Sequence, residues 1–107
     1  MGNILFVAGQ VALDEQLRVV GEGDARAQAR QAWTNIKRVV EAAGGTMENV
    51  GRIVIYLARI EDAPLEQEVR RDFFPGGDYP ACTLVQVAKL GLPDLLMEIE
   101  VTAVLEE

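Results

Sequence analysis

The stretch YPACTLVQVAKL, residues 79–90, decides the fold because its proline is followed directly by a strand pattern. Pro80 sets a turn or a strand entry, and the segment after it holds the single cysteine, Cys82. A second strand pattern, Leu95 to Leu105, follows after a short loop and carries Glu98. We therefore expect a chemical site, if the protein has one, to lie between these two strands.

Alternation along the second strand predicts one apolar face and one mixed face. The apolar positions recur at every second residue: Met97, Ile99, Val101, Ala103 and Leu105. The intervening positions combine apolar side chains with two carboxylates: Leu96, Glu98, Glu100, Thr102 and Val104. We expect helices to cover the first face, and the mixed face to be a subunit interface beside a wet cleft.

Two strands and a long helix are predicted before the middle of the chain. Ile4 to Ala8 is a short apolar run, and Leu17 to Val20 is expected to return as its antiparallel partner. Asp24 is suited to cap a helix whose apolar stripe includes Trp33 as a core residue. The pair Gly44–Gly45 would end that helix.

A buried strand and a second helix follow. Val50 to Leu57 is nearly all apolar, which predicts a central strand covered on both faces. Asp62 can cap the second helix, in whose first turn Pro64 is tolerated. One face of this helix is apolar, and the charged residues are predicted to form a solvated face: Glu66, Glu68, Arg70 and Arg71.

The order of elements, β-β-α-β-α-β-β, predicts an α+β sandwich with one mostly antiparallel sheet and two helices on one face. The chain has 107 residues, half of them hydrophobic, which suits one domain spanning residues 1–107.

Composition excludes several classes of function. A net charge of −7 repels phosphate backbones, so we expect no nucleic-acid partner. With no histidine and one cysteine, neither a histidine metal site nor a Ser–His–Asp triad can form. No apolar run approaches the ~20 residues of a membrane span. We expect a cytoplasmic protein without a membrane partner.

Four stretches together resemble the reactive intermediate deaminase (Rid, or YjgF) family. They are LFVAGQVALD, ARQAWTNIKRVVEAAGGTMENV, DFFPGGDYPACTLVQVAKL and LLMEIEVTAV. The resemblance implies a chorismate-mutase-like fold and a homotrimer with a small-molecule cleft between neighbouring subunits. It also implies hydrolysis of reactive enamines and imines derived from amino acids, without a metal or organic cofactor.

The resemblance also implies roles for single residues. Glu98 matches the catalytic glutamate that holds the attacking water or passes protons. Gly9 matches a glycine whose backbone lines the cleft, and Tyr79 matches a bulky substrate-binding residue before the proline. Glu100 is interpreted as structural or electrostatic. The alternative for Glu98 is an exposed or interface carboxylate without a catalytic role.

Cys82 is the main departure from the family. Active deaminases have an arginine here that clamps the substrate carboxylate, and a neutral thiol offers no such donors. Its loss is expected to cost about 2–5 kcal/mol in binding, so efficient deamination of 2-imino acids is not expected. The family also places an aromatic residue on a segment before the first strand, and this chain starts too late to contain it. We expect either that the start is truncated or that the cleft is built differently.

Three alternatives remain open at this stage. Cys82 could be a nucleophile, although neighbouring carboxylates disfavour a thiolate, so a small wall residue of the substrate site is preferred. The protein could be a trimer that binds a metabolite or a pathway partner without turnover. Ribonuclease activity, a label attached to some members of the family, is disfavoured by the acidic charge and the lack of histidine.

Overall fold

Four strands form a single sheet in the computed structural model, which describes residues 3–105. The strands are β1 (Ile4–Gln10), β2 (Val50–Leu57), β3 (Ala81–Gln86) and β4 (Met97–Val104). The helices are α1 (Ala25–Ala42) and α2 (Ala63–Arg71), and short 3₁₀ turns precede β2 and α2 at Met47–Asn49 and Ile60–Asp62.

The strand order is β1-β4-β2-β3, so the last strand of the chain is inserted into the middle of the sheet. β4 pairs antiparallel with both β1 and β2, whereas β3 lies parallel to β2. Parallel neighbours need a crossover connection, and α2 provides it between β2 and β3. The predicted α+β fold with a mostly antiparallel sheet is confirmed.

Both helices pack on the face of the sheet that the alternation of β4 predicted. Met97, Ile99, Val101 and Ala103 are buried there with the inward residues of β2. Trp33 of α1 is fully buried and contacts Phe73 and Phe74, with ring centroids 6.0 and 5.5 Å apart. Burying an aromatic ring contributes more apolar area than any other kind of side chain, so Trp33 anchors this core.

Helix α1 begins and ends as its sequence predicts. The Asp24 carboxylate accepts a hydrogen bond from the Ala27 N–H at 3.0 Å, which satisfies one free amide of the first turn. Gly44 follows the helix with φ of +92°, a left-handed conformation that glycine adopts without strain. Within residues 3–105, no helix combines the length and apolar character needed to cross a bilayer.

The predicted strand at Leu17 to Val20 is wrong. In the described residues this segment makes a single bridge, between Leu13 and Val19. The Asp14 carboxylate accepts hydrogen bonds from the N–H groups of Gln16 and Arg18, at 2.9 and 3.0 Å. Such local bonds compete with ladder formation, and they fold the segment into a tight turn instead of a strand.

The start of α2 also differs from the prediction. Asp62 is buried, but its carboxylate makes no hydrogen bond to an amide of the helix. It instead accepts a hydrogen bond from the Arg59 guanidinium at 2.9 Å. Pro64 lies in the first turn, where the missing N–H costs nothing because that amide has no partner inside the helix.

Candidate functional site

The face of the sheet that the helices leave uncovered, here called the open face, carries both carboxylates of β4. Glu98 lies opposite Tyr56 of β2, and Glu100 lies opposite Val54. Both carboxylates are half-buried. Because side chains two residues apart on a strand point the same way, the two glutamates share this face.

The Glu98 carboxylate packs directly against Gly9 of β1. Gly9 lies where four residues of β1, Val7 to Gln10, stand opposite three residues of β4, Ile99 to Val101, which is a β-bulge. A methyl group at position 9 would overlap the Glu98 side chain, with its carboxyl carbon only 2.5 Å away. A side chain at position 9 would therefore displace the glutamate, whereas the backbone angles of Gly9 do not themselves call for glycine.

Glu100 is held by a hydrogen bond that Glu98 lacks. The Tyr56 hydroxyl donates to Glu100 Oε1 at 2.6 Å. This bond to Glu100, followed by desolvation, raises the pKa of Tyr56. Among residues 3–105, no side chain or backbone group donates a hydrogen bond to the carboxylate of Glu98, whose backbone belongs to the β4 ladder. Glu98 thus keeps its acceptor oxygens free for a bound molecule, while Glu100 has a structural contact.

Cys82 lies on the other face of the sheet. In the parallel pairing of β2 with β3 it is in register with Ile53, whose side chain is fully buried under the helices. Strand β2 lies between β3, which carries Cys82, and β4, which carries Glu98. The expectation of a site between the two closing strands is therefore wrong within one copy of the chain, because those strands are not neighbours.

Tyr79 precedes β3 on the loop that leads into it and is 53% exposed. It lies near Cys82 in sequence and is separated from Glu98 by the same intervening strand. The four residues selected from the sequence thus fall into two groups. Gly9 and Glu98 meet on the open face, whereas Tyr79 and Cys82 lie at the β3 edge of the sheet.

The thiol of Cys82 is adjacent to an arginine of α2. Partial burial raises the pKa of Cys82, and the positive charge of Arg70 opposes that rise only in part. A thiol whose pKa is raised is a poor nucleophile near neutral pH, because the thiolate is the reactive form. The arrangement does not favour the alternative in which Cys82 attacks a substrate.

The charged residues of α2 do not all form a solvated face, and that prediction is wrong for two of them. Glu66 is fully buried, and both of its oxygens accept hydrogen bonds from Arg70, one of them from Nε at 2.9 Å. The Trp33 indole N–H also donates to Glu66, at 2.9 Å. A buried carboxylate is tolerated here because three donors replace its water.

Sequence reasoning missed this pair, although one signal was available. Glu66 and Arg70 are four residues apart with the acid first, a spacing that favours an ion pair on a helix. Glu66 also shares a helix face with the buried Val69, three residues later. That periodicity places the pair against the core.

The two main grooves of a single copy lie away from Glu98. A shallow groove of about 360 Å³ adjoins Gly9 and is lined by the turn after β1 and by α1. A larger groove, about 670 Å³, lies between the end of α1 and the loop after α2. Neither groove includes Glu98 or Cys82 in its lining. Residues 3–105 also hold no cluster of three side chains suited to a metal ion.

The family model described as Endoribonuclease L-PSP matches residues 1–105. The chain belongs to the Rid, or L-PSP, family. A RutC family protein of Pyrococcus horikoshii is 38% identical over 102 residues, which are 95% of this chain and 79% of that protein. A Dermatophagoides farinae protein named 2-iminobutanoate/2-iminopropanoate deaminase is 34% identical over 106 residues, with 99% and 81% covered.

Solved structures of Rid proteins have the same fold. The crystal structure of RidA from an Antarctic Psychrobacter is 34% identical and superimposes with a TM-score of 0.90, covering 98% of this chain and 83% of that one. A Rid family protein of Yersinia pestis is 36% identical with a TM-score of 0.89, covering 97% and 80%. The predicted membership of the Rid family is confirmed.

Proposed function

We propose that this Rid protein hydrolyses small reactive imines or enamines, with Glu98 as the residue that positions water and transfers protons. The proposal rests on the surroundings of the Glu98 carboxylate on the open face. Its carboxylate is pressed against a glycine and has no hydrogen-bond donor within residues 3–105, whereas Glu100 beside it is bonded to Tyr56. The D. farinae relative, named as an imine deaminase, supports the same chemistry.

The reaction requires little beyond a well-placed carboxylate. Water adds to the carbon of the protonated C=N bond and loses a proton to Glu98. The proton then passes to the nitrogen, and the C–N bond breaks while the new hydroxyl group releases its proton, which replaces the one that protonated the imine. Ammonia leaves a C=O group behind. An imine and one water give a carbonyl compound and one ammonia. A carboxylate at hydrogen-bond distance from the water serves as both acceptor and donor of the proton.

We place the substrate between two copies of the chain in a homotrimer. Glu98 and Cys82 lie on opposite faces of one sheet, so a cleft that uses both needs residues from two copies. The open face also exposes apolar side chains that a neighbouring copy would cover: Phe6 is 62% exposed and Val104 is 60% exposed. Exposed apolar side chains on one sheet face favour association.

The substrate is expected to differ from the one that the D. farinae relative's name states. At position 82 a thiol stands where the family resemblance implies an arginine, so a carboxylate at this end of the cleft loses its bidentate partner. We propose imines or enamines whose recognition depends less on a carboxylate, with weak turnover of 2-imino acids.

The test is ammonia release from freshly generated imines, measured above the spontaneous rate. Glu98→Gln should lower turnover by about 10²- to 10⁴-fold, the usual contribution of general acid–base catalysis. Glu100→Gln is the matched control on the same strand and face, and it should keep most of the activity. Equal losses in both variants would argue against a specific role for Glu98.

A native protein that binds small carbonyl compounds but releases no ammonia would instead support the alternative function. That alternative is a metabolite-binding or pathway-partner trimer without turnover. Sedimentation of the same samples reports on assembly, and a monomer would contradict the shared cleft.

A further inference from the structure

The guanidinium of Arg70 is held rigidly from its inner side. Its Nε and Nη2 atoms both donate to the carboxylate of Glu66, which is fully buried. The Trp33 indole fixes that carboxylate in turn. The Arg70 side chain is only 13% exposed, so most of it is immobilised by packing as well as by hydrogen bonds.

The outer edge of the same guanidinium has donors to spare. Arginine carries five N–H groups, and the two-point contact with Glu66 uses only two of them. In the described part of the chain, no oxygen accepts a hydrogen bond from the Nη1 atom, and the further acceptor beside the guanidinium is the thiol of Cys82, which is a weak one. No buried side-chain nitrogen or oxygen in the same residues lacks a partner. The Nη1 edge therefore reaches the surface.

That surface is the one formed by Cys82. The thiol is adjacent to the guanidinium, and Cys82 itself is exposed at the edge strand β3. A large side chain at position 82 would occupy the space beside Arg70. The small thiol leaves the outer edge of the guanidinium accessible from solvent.

We propose that Arg70 binds the carboxylate of a small ligand, such as a 2-oxo or 2-imino acid, at the Cys82 end of the cleft. This assignment rests on the proposed function for its location, but not for its chemistry. A planar guanidinium that is already oriented can donate two parallel hydrogen bonds to a carboxylate. Preorganisation lowers the entropy cost of binding.

Glu66 limits the strength of this contact. It neutralises the charge of Arg70, so the ligand gains directional hydrogen bonds rather than the attraction of a net positive charge. Arg70 is thus a specificity-determining residue that binds a carboxylate less strongly than an unpaired arginine at position 82 would. Weak turnover of 2-imino acids, rather than none, is the expected consequence.

The test uses 2-oxobutanoate as the carboxylate probe and butanone as the matched uncharged probe, with binding followed by ligand-observed NMR. The variants are Arg70→Lys, which keeps the charge but loses the planar donors, and the double variant Glu66→Gln/Arg70→Gln. The double variant leaves no unpaired buried charge and keeps an acceptor for Trp33. Arg26→Gln is the control, since Arg26 forms an exposed ion pair with Glu68 between the same two helices.

Native protein should bind 2-oxobutanoate more tightly than butanone. Both Arg70 variants should weaken 2-oxobutanoate binding by about tenfold or more, as expected for the loss of a charge-assisted hydrogen bond, and leave butanone binding unchanged. Arg26→Gln should change neither. Near-ultraviolet circular dichroism of Trp33 reports whether each variant is folded.

Two results would overturn the assignment: no preference of native protein for 2-oxobutanoate, or unchanged 2-oxobutanoate binding in the folded double variant. Because binding is measured without turnover, the two proposals fail separately. A protein that binds 2-oxobutanoate through Arg70 but releases no ammonia contradicts only the proposed hydrolysis. A protein that hydrolyses imines, and whose 2-oxobutanoate binding is unchanged in the Arg70 variants, contradicts only the carboxylate contact.

Discussion

Replacing Gly9 by alanine tests the placement of Glu98 more directly than replacing the glutamate. The added methyl would lie 2.5 Å from the carboxyl carbon of Glu98, and an ordinary contact is at least 3.4 Å. One carboxylate oxygen would lie closer still, so the carboxylate must move by about 1 Å. A misplacement of about 1 Å can cost about 10²-fold in rate, so kcat/KM for imine hydrolysis should fall by that factor.

The assay is ammonia release from a fresh imine, with the spontaneous rate subtracted. Gly51→Ala is the matched control, because Gly51 lies in β2, on the other side of β4 from Gly9, and the nearest atom would be 3.9 Å from the new methyl. Neither glycine has a positive φ, so backbone strain cannot cause a difference between the two alanine variants. An unchanged kcat/KM in folded Gly9→Ala, or an equal loss in Gly51→Ala, would refute the reasoning.

Two further predictions concern stability. Glu66→Ala leaves the Arg70 charge buried without a partner. It should lower the free energy of unfolding, measured by urea titration, by about 3–5 kcal/mol. A loss below about 1 kcal/mol, which is typical of exposed ion pairs, would contradict the burial of this pair. The hydrogen bond to Glu100 raises the pKa of Tyr56 in the folded protein. The bond therefore contributes its full stabilisation below the ordinary tyrosine pKa of about 10. That stabilisation is lost as the pH rises through the raised pKa of the folded state. Thermal unfolding of Tyr56→Phe should therefore depend less on alkaline pH than that of native protein, and an equal dependence would count against the contact.

The sheet and its covered face could be predicted because the relevant strands have unambiguous patterns. In β4 every second residue is apolar, and the buried residues follow that alternation without exception. β2 is nearly all apolar, with Arg52 as its one charged residue, and its bounds, Val50–Leu57, agree with the prediction. The prediction that β2 is covered on both faces is wrong within one copy of the chain, because the helices cover one face of the sheet and Arg52 is exposed on the other. Such patterns show which face of a strand is buried, because the spacing of apolar residues along the sequence follows that face.

The remaining features depend on contacts between distant segments. Whether Cys82 and Glu98 meet depends on which strand lies between theirs, and neither local pattern contains that information. The burial of Glu66 depends on Trp33, 33 residues earlier in the chain. The false strand at Leu17 to Val20 arose because its apolar residues matched a strand while the Asp14 side chain imposed a turn.

The contact of Glu66 with both Arg70 and Trp33 restricts how this protein can diverge. Changing the acid alone leaves a buried cation and an indole N–H without an acceptor, and changing the arginine alone leaves a buried anion. Each single step is harmful, although joint replacement by apolar residues can be neutral. A combinatorial library at these positions should show sign epistasis, with functional sequences separated by variants that do not fold.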